Sequence, residues 1–423
     1  MMSWADVVKA PVVARYKPPT PTTRVRPSRR RAAARAVELQ EDGGPARVVS
    51  ETSTDALAPR RRTRRARLID VFLPEGYPRS VAPGYGAYQL WDALQGLTSY
   101  VRANLAYKAT LEGLGVGDVE ASAMAGALAN VARDASSSLA GLLLAYGCSR
   151  DFGRRVRQWR LMADVANDCG LALQMAAPLC RDRFVVLACL AAACHCACGV
   201  MAGATKASIS RHFAVRGNFE ELVSKEGSQE QVVNVLGLLL GYYVLKVLNE
   251  STKTVLVAFV LLTLLHVLAN IMAVRQLRLR TVNEPRFRVL MDRFLRNLPL
   301  DVAAVGDAEP LLVAGRRRLG CSLNDVAHVP AAAAVAALVA AEGRPFVILG
   351  GEALLAPGAT ALDALEARFA LAGGPAARWP AFRAALAAAG WDTATPLLDD
   401  AGCRVRWHKV GLDVVVLMLP FAP

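Results

Sequence analysis

The chain has 423 residues, 54% of them apolar, a mean hydropathy of +0.29 and a formal net charge of +14. That length holds two or three domains, and that apolar content is high for a wholly soluble protein. Residues 1 to 67 carry sixteen Lys and Arg against six Asp and Glu, leaving only +4 for the rest, which excludes a nucleic-acid partner because binding needs basic residues clustered on a structured face.

The runs RVRPSRRRAAARAVE and APRRRTRRARL have almost no large apolar side chains, so residues 1 to 67 are predicted to be a disordered basic tail. Arg with Ser and Thr also fits an organelle transit leader, although Glu38, Glu41, Asp42, Glu51 and Asp55 are many acids for one. A plain tail touching anionic lipid is the other reading. Met1 to Ala10 lacks the long apolar core of a secretory signal.

Next comes FLPEGYPRSVAPGYGAY, whose Pro74, Pro78 and Pro83 forbid a long helix and make a rigid approach to the first one. Helices are expected at 87 to 111, 120 to 146 and 154 to 178, the last opening on the charged run RRVRQWRLMADVANDCG. FVVLACLAAACHCACGVMAGA at 184 to 204 and TVLVAFVLLTLLHVLANIMAV at 254 to 274 each run about 21 residues without a charge, close to the ~20 that cross a hydrocarbon core. A buried helix of a large soluble core is the alternative. VVNVLGLLLGYYVLKVL at 232 to 248 is a shorter third window, with Lys246 placed to snorkel. If six helices cross in turn, the basic segments at 147 to 160, 205 to 216 and 275 to 280 all fall on one side, as the positive-inside rule asks. Arg181 and Arg183 are the exception.

Helical spacing groups the polar residues. Ser122, Gly126, Asn130, Asp134 and Ser138 recur every four residues, and Arg160, Asp164, Asn167 and Asp168 share a face of the next helix. Asn234, Gly237 and Gly241, then Thr263, His266 and Asn270, repeat the design. Polar groups at membrane depth are expensive unless they face one another or water, so the stripes are expected to turn inward together. They make either a hydrated, partly acidic pathway with Asp134, Asp164 and Asp168 as its charges, or interhelical glue in which Arg133 and Arg160 pair with the acids and the two glycines permit close packing.

Cys189, Cys194, His195, Cys196 and Cys198 are the ligand types zinc prefers. They scatter over two helix faces, so packing cysteines are expected, with no metal and no cofactor. The nine cysteines lack the even spacing of a disulfide framework. ATKASISRH brings Lys206, Ser208, Arg211 and His212 to the end of a spanning helix. The turn faces solvent or lipid headgroups, or holds an anion.

From Thr281 short strands alternate with Ala-rich helices: an apolar helix at 330 to 341, RPFVILGG, helices at 359 to 371 and 378 to 390, CRVRWHK and DVVVLML. This predicts a small soluble α+β domain over residues 281 to 423. Gly350 and Gly351 lack the spacing of a nucleotide loop, and no nucleophile elbow, HExxH or paired Cys-x-x-Cys occurs.

Three stretches also resemble a known family: FLPEGYPRSVAPGYGAYQLWD, WRLMADVANDCGLALQMAAP and GATKASISRHFAVRGNFEELVSKEGSQE, with HVLANIMAVRQLRLRTVNEPR extending the likeness to Arg286. In that order they resemble the Root UVB Sensitive family, a domain of unknown function. The resemblance implies membrane or organelle association, plastids in plant members, partnering between paralogues or with a second copy, and links to UV-B tolerance and vitamin B6 homeostasis. It supplies no catalytic residue. The vitamin B6 link would make pyridoxal phosphate on Lys206 a natural guess, which the spacing does not support.

The expected architecture is mainly α: a polytopic membrane bundle of about six helices over residues 68 to 280, followed by the small α+β domain. The expected function is a non-enzymatic transport-like or scaffold component of an organelle membrane, the plastid first. A cofactor-handling protein or enzyme that binds through residues 281 to 423, and a soluble interaction protein, are the alternatives.

Overall fold

A computed structural model describes residues 36–38, 47–49, 71–113, 123–248, 252–312, 319–399, 403–410 and 413–419. The chain divides into two units, Met1–Arg62 and Thr63–Pro423. In the first, β1 (Ala36–Glu38) and β2 (Arg47–Val49) pair antiparallel. The disorder and the transit leader expected for residues 1 to 67 otherwise lie outside the described residues.

In the second unit, the proline-rich segment before Tyr85 is pinned by residues far along the chain. Ala82 N donates to the Phe213 carbonyl at 3.0 Å, and Gln229 Nε2 donates to the Phe72 carbonyl at 2.6 Å. Val81, Tyr85, Tyr88, Ile209, Phe213 and Leu222 then pack as one apolar cluster.

The long helices among the described residues are α1 (Tyr85–Gly113), α2 (Ala123–Cys148), α3 (Val156–Ala176), α4 (Phe184–Phe213), α5 (Phe219–Val247) and α6 (Thr252–Arg275). The two connections at 114 to 122 and 249 to 251 lie outside the described residues, as does Ser122. α1 packs against α3, α5 and α6, while α4 packs against α2 and α3. Tyr85, Tyr88, Gln95, Thr98, Arg102, Leu105 and Ala109 are all buried. Their three- and four-residue steps mark the inward face of α1. α5 approaches α1 through two glycines: a Cβ on Gly237 would stand 2.5 Å from Tyr100 Cβ, and one on Gly241 would overlap Asn104.

Three helices, α4, α5 and α6, are long and apolar enough to cross a membrane. Their outward faces are greasy. Leu239, Leu261 and Leu264 are each more than 60% exposed, which in water would leave a large unpaired apolar surface and in a bilayer meets lipid.

The chain continues into β3 (Thr281–Asn283), α7 (Glu284–Leu295) and α8 (Val302–Ala308). Asn283 caps α7, its Oδ1 accepting from Arg286 N at 3.0 Å, and Pro285 occupies the first turn, where its missing N–H is harmless. Then come α9 (Ala331–Ala340), β4 (Phe346–Leu349), β5 (Glu352–Leu355), α10 (Ala361–Leu371), α11 (Trp379–Ala388), β6 (Asp392–Leu397), β7 (Arg404–Val410) and β8 (Asp413–Leu419). β3 runs parallel to β6, whereas β4 with β5 and β7 with β8 are antiparallel pairs. Phe287, Phe369, Trp379 and Phe382 fill the core between α7, α10 and α11. Each buried ring contributes about 1.5–3 kcal/mol.

The segment after α6 meets the start of α3 through buried charge. Glu309 Oε2 accepts from Arg157 Nη1 at 2.7 Å and from Arg286 Nε at 2.9 Å, and Asn283 Nδ2 donates to the Arg154 carbonyl at 3.0 Å. Arg155 pairs with Asp399 beside them.

Candidate functional site

The inward faces of α1, α3 and α6 carry a chain of hydrogen bonds. Gln95 on α1 uses both bonds of its amide nitrogen, one to Asp164 Oδ1 at 2.9 Å and one to His266 Nε2 at 2.8 Å. With Nε2 accepting, the imidazole proton lies on Nδ1, which stands 3.0 Å from Asp168 Oδ1. Asp168 Oδ1 also accepts from Arg102 Nη1 at 2.5 Å, and Arg102 Nη1 reaches Thr263 Oγ1 at 3.2 Å. Arg102 and His266 are completely buried. A charge in that position is tolerable only with its counter-ion in contact.

At its Asp164 end the chain meets a cavity of about 420 Å³ bounded by α1, α3, α4 and α5. Asp92, Gln95, Arg160, Asp164, Lys206, Glu226 and Glu230 supply its polar wall, and Tyr88 and Tyr100 its rings. Arg160 Nη2 donates to Asp92 Oδ1 at 2.8 Å, and Lys206 Nζ to Glu230 Oε2 at 2.6 Å. Glu226 accepts from Ser210 Oγ at 2.6 Å and from Gln89 Nε2 at 3.0 Å. Asn167 Nδ2 bonds Ser99 Oγ across the α1–α3 contact at 3.0 Å. With a rise of 1.5 Å per residue, Asp92 lies about 10 Å and Arg102 about 25 Å along α1 from Tyr85. The cavity therefore sits near the end of the bundle that carries the basic segments, and the chain leads inward from it.

The structure brings five of the sequence-selected residues together: Arg160, Asp164, Asn167, Asp168 and His266. Asn270 is buried one turn beyond His266, and Asn234 is half-buried on α5. The face of α2 is different. Asn130 and Asp134 are exposed, with Arg133 Nη1 donating to Asn130 Oδ1 at 3.1 Å. The expectation that all four stripes turn inward is corrected here: Ala129 is the buried residue of that stretch, Ser136 Oγ bonds the Cys189 carbonyl at 3.0 Å, and Gly141 abuts Cys196. α2 is held to α4 by its small residues, so its acid and amide point away from the other stripes. Arg160 also pairs more closely with Asp92 than with Asp164, whose Oδ2 is 4.0 Å from Arg160 Nε.

The turn at the end of α4 does not gather its cations. Lys206 pairs with Glu230, Arg211 lies over the Phe219 ring at 5.7 Å, Ser208 is half-buried, and the His212 ring packs on Phe213. Among the described residues no three His, Cys, Asp or Glu side chains converge as a metal site.

Sequence reasoning placed the helix of α1 but missed its polar face. Asp92, Gln95, Ser99 and Arg102 step by three and four residues, the same signal that marked α3, and Glu226 and Glu230 are one turn apart on α5.

A family profile described as "Vitamin B6 photo-protection and homoeostasis domain" matches residues 58–298, more than half of the chain. Over 230 residues the chain is 34% identical to Protein root UVB sensitive 3 of Arabidopsis thaliana, covering 54% of this chain and 52% of that protein. It is 36% identical over 233 residues to RUS family member 1 of Dictyostelium discoideum, covering 54% and 44%. It is 27% identical over 228 residues to Protein root UVB sensitive 2, chloroplastic, of Arabidopsis thaliana, covering 54% and 52%. The chain thus spans about half the length of the curated relatives it matches. No solved structure matches it. The profile ends at 298, so it takes in α1 to α6, β3 and α7, with Arg154, Arg157, Asn283 and Arg286 inside it and their partner Glu309 beyond it.

Proposed function

The chain belongs to the Root UVB Sensitive family, described by its role in vitamin B6 photo-protection and homoeostasis, and from that premise we propose that its bundle is a non-enzymatic, transport-like component of a membrane. The observation that carries this reading is the cavity of about 420 Å³ whose wall residues Asp164 and Gln95 are also the first links of the buried chain to His266, Asp168 and Arg102. A volume in the usual range for small-molecule sites, about 300–1,000 Å³, joined to ionisable groups inside a greasy bundle, is the arrangement that ligand and proton pathways use. The family's name supplies the field of action, vitamin B6 balance under UV-B.

Six crossings, with both termini on the side of the basic segments, are part of the proposal, as is residence in an organelle membrane. The plastid is the first choice, supported by the chloroplastic relative. Assembly with a paralogue or second copy is supported by α2, whose exposed Asp134 and Asn130 would be costly against lipid.

Two experiments test the reading. Alkaline carbonate should leave the protein in the membrane fraction, and its release would remove a transport role. Asp164→Asn should leave a folded, abundant protein that no longer restores vitamin B6 balance in cells lacking the chain. Full restoration would assign the chain of hydrogen bonds to packing, the scaffold reading, which the complete burial of Arg102 against Asp168 favours.

A further inference from the structure

We infer that the cavity takes a small organic ammonium ion and rejects phosphate-bearing anions, an inference that rests on the transport-like reading and names the charge class of its ligand. Four carboxylates and two cations line the space. Asp92 is matched by Arg160 and Glu230 by Lys206. That leaves Glu226 and Asp164, whose hydrogen bonds come from neutral groups: Ser210 and Gln89 for the first, Gln95 for the second. Asp164 is only 5% exposed, and its Oδ2 accepts no hydrogen bond among the described residues. Arg160 Nε stands 4.0 Å from that oxygen, beyond hydrogen-bond reach, and its Nη2 is directed to Asp92.

A carboxylate in a cavity wall whose hydrogen bonds come from neutral groups favours a charged N–H donor, because an unmet charge in a low-dielectric wall is expensive. A protonated amine supplies both the donor and the charge. Tyr88 and Tyr100 add aromatic wall, whose negative ring faces favour an ammonium group over a neutral hydroxyl. A phosphate dianion would instead face two carboxylates with both cations already engaged, and like charge in such a site disfavours entry.

The test uses the full chain in lipid nanodiscs and three compounds of one skeleton, titrated calorimetrically: pyridoxamine, pyridoxine, which carries a hydroxymethyl in place of the aminomethyl group, and pyridoxamine 5′-phosphate. Pyridoxamine should bind at least tenfold more tightly than either of the others. Asp164→Asn and Glu226→Gln should each weaken pyridoxamine about tenfold and leave pyridoxine unchanged. Equal affinities, a preference for the phosphate, no pyridoxamine binding, or a folded Asp164→Asn protein of undiminished affinity would each overturn the inference. If Asp164→Asn does not fold, the ranking on the unaltered chain and Glu226→Gln decide it. Binding that favours the phosphate and is lost in Glu226→Gln would leave a ligand path standing while overturning its charge class. A cavity that water-soluble reagents cannot reach would remove the path itself.

Discussion

The residue whose environment is least forgiving is Arg102. It is wholly buried, and its Nε and Nη2 have no hydrogen-bond partner among the described residues, so its charge depends on Asp168. Removing the carboxylate leaves a buried cation without its counter-ion, which costs about 3–5 kcal/mol. Asp168→Asn should therefore abolish a monodisperse detergent-solubilised species in size-exclusion chromatography, whereas Asp168→Leu combined with Arg102→Leu should recover one. Recovery failing in the double variant would show that the pair does more than neutralise itself. Asp164 contrasts with it, since Arg160 keeps Asp92 when the Asp164 charge is removed. The two acids lie one turn apart on α3, so the spacing placed them on one face but could not rank them. The ranking is set by Gln95 and Arg102, which come from another helix.

Among elements, the α1–α5 contact is fixed by Gly237 and Gly241 lying against Tyr100 and Asn104. Gly237→Ala should cost about 1–3 kcal/mol through overpacking, read as a lower unfolding temperature in detergent. Gly199→Ala on α4, where a new Cβ meets nothing within 4 Å, should be neutral or stabilising, because alanine is the better helix former. The α3–α7 dock titrates instead. Burial alone would raise the Glu309 carboxyl, but Arg286 and Arg157 together hold it below its ordinary range. Glu284 is likewise lowered, by Arg368 and Arg288 against the effect of burial. A depressed carboxylate adds stability that is complete above its unfolded pKa, about 4.3, and is lost as pH falls through the lower folded value. Unfolding temperature should thus hold between pH 5 and 8 as far as these two groups go and fall below about pH 4, with Glu309→Gln flattening the acid limb. An unchanged acid limb in that variant would deny the dock its role. The mainly helical character and the three long apolar helices were legible because 3.6-residue periodicity and apolar length survive in one sequence, although α5 begins at Phe219 and not at the expected 232. The direction of a polar face was not: α2 shows the same four-residue step as α3, yet its small residues seat on α4 and turn Asp134 outward. After residue 281, FVIL, RVRWHK and DVVVLML announce strands. EALL and DTATPL do not, since their pairing with β4 and β3 is decided by residues distant in sequence.

For the molecule as a whole, the account requires two kinds of surface within one bundle: an outer apolar belt that meets lipid and a polar cavity that meets water. Composition foretold the helices long and apolar enough to cross a membrane, because charge-free runs of about 21 residues can be counted in the sequence. It could not foretell the cavity, which four helices build jointly. Both surfaces can be read together by single cysteines placed in a chain whose nine native cysteines are replaced by alanine, and exposed in intact membrane vesicles to a water-soluble maleimide. Ser99 lines the α1–α3 side of the cavity, while Leu264 is 63% exposed on the outward face of α6. Ser99→Cys should be labelled and Leu264→Cys should not. Rapid labelling of Leu264→Cys with Ser99→Cys protected would contradict the account.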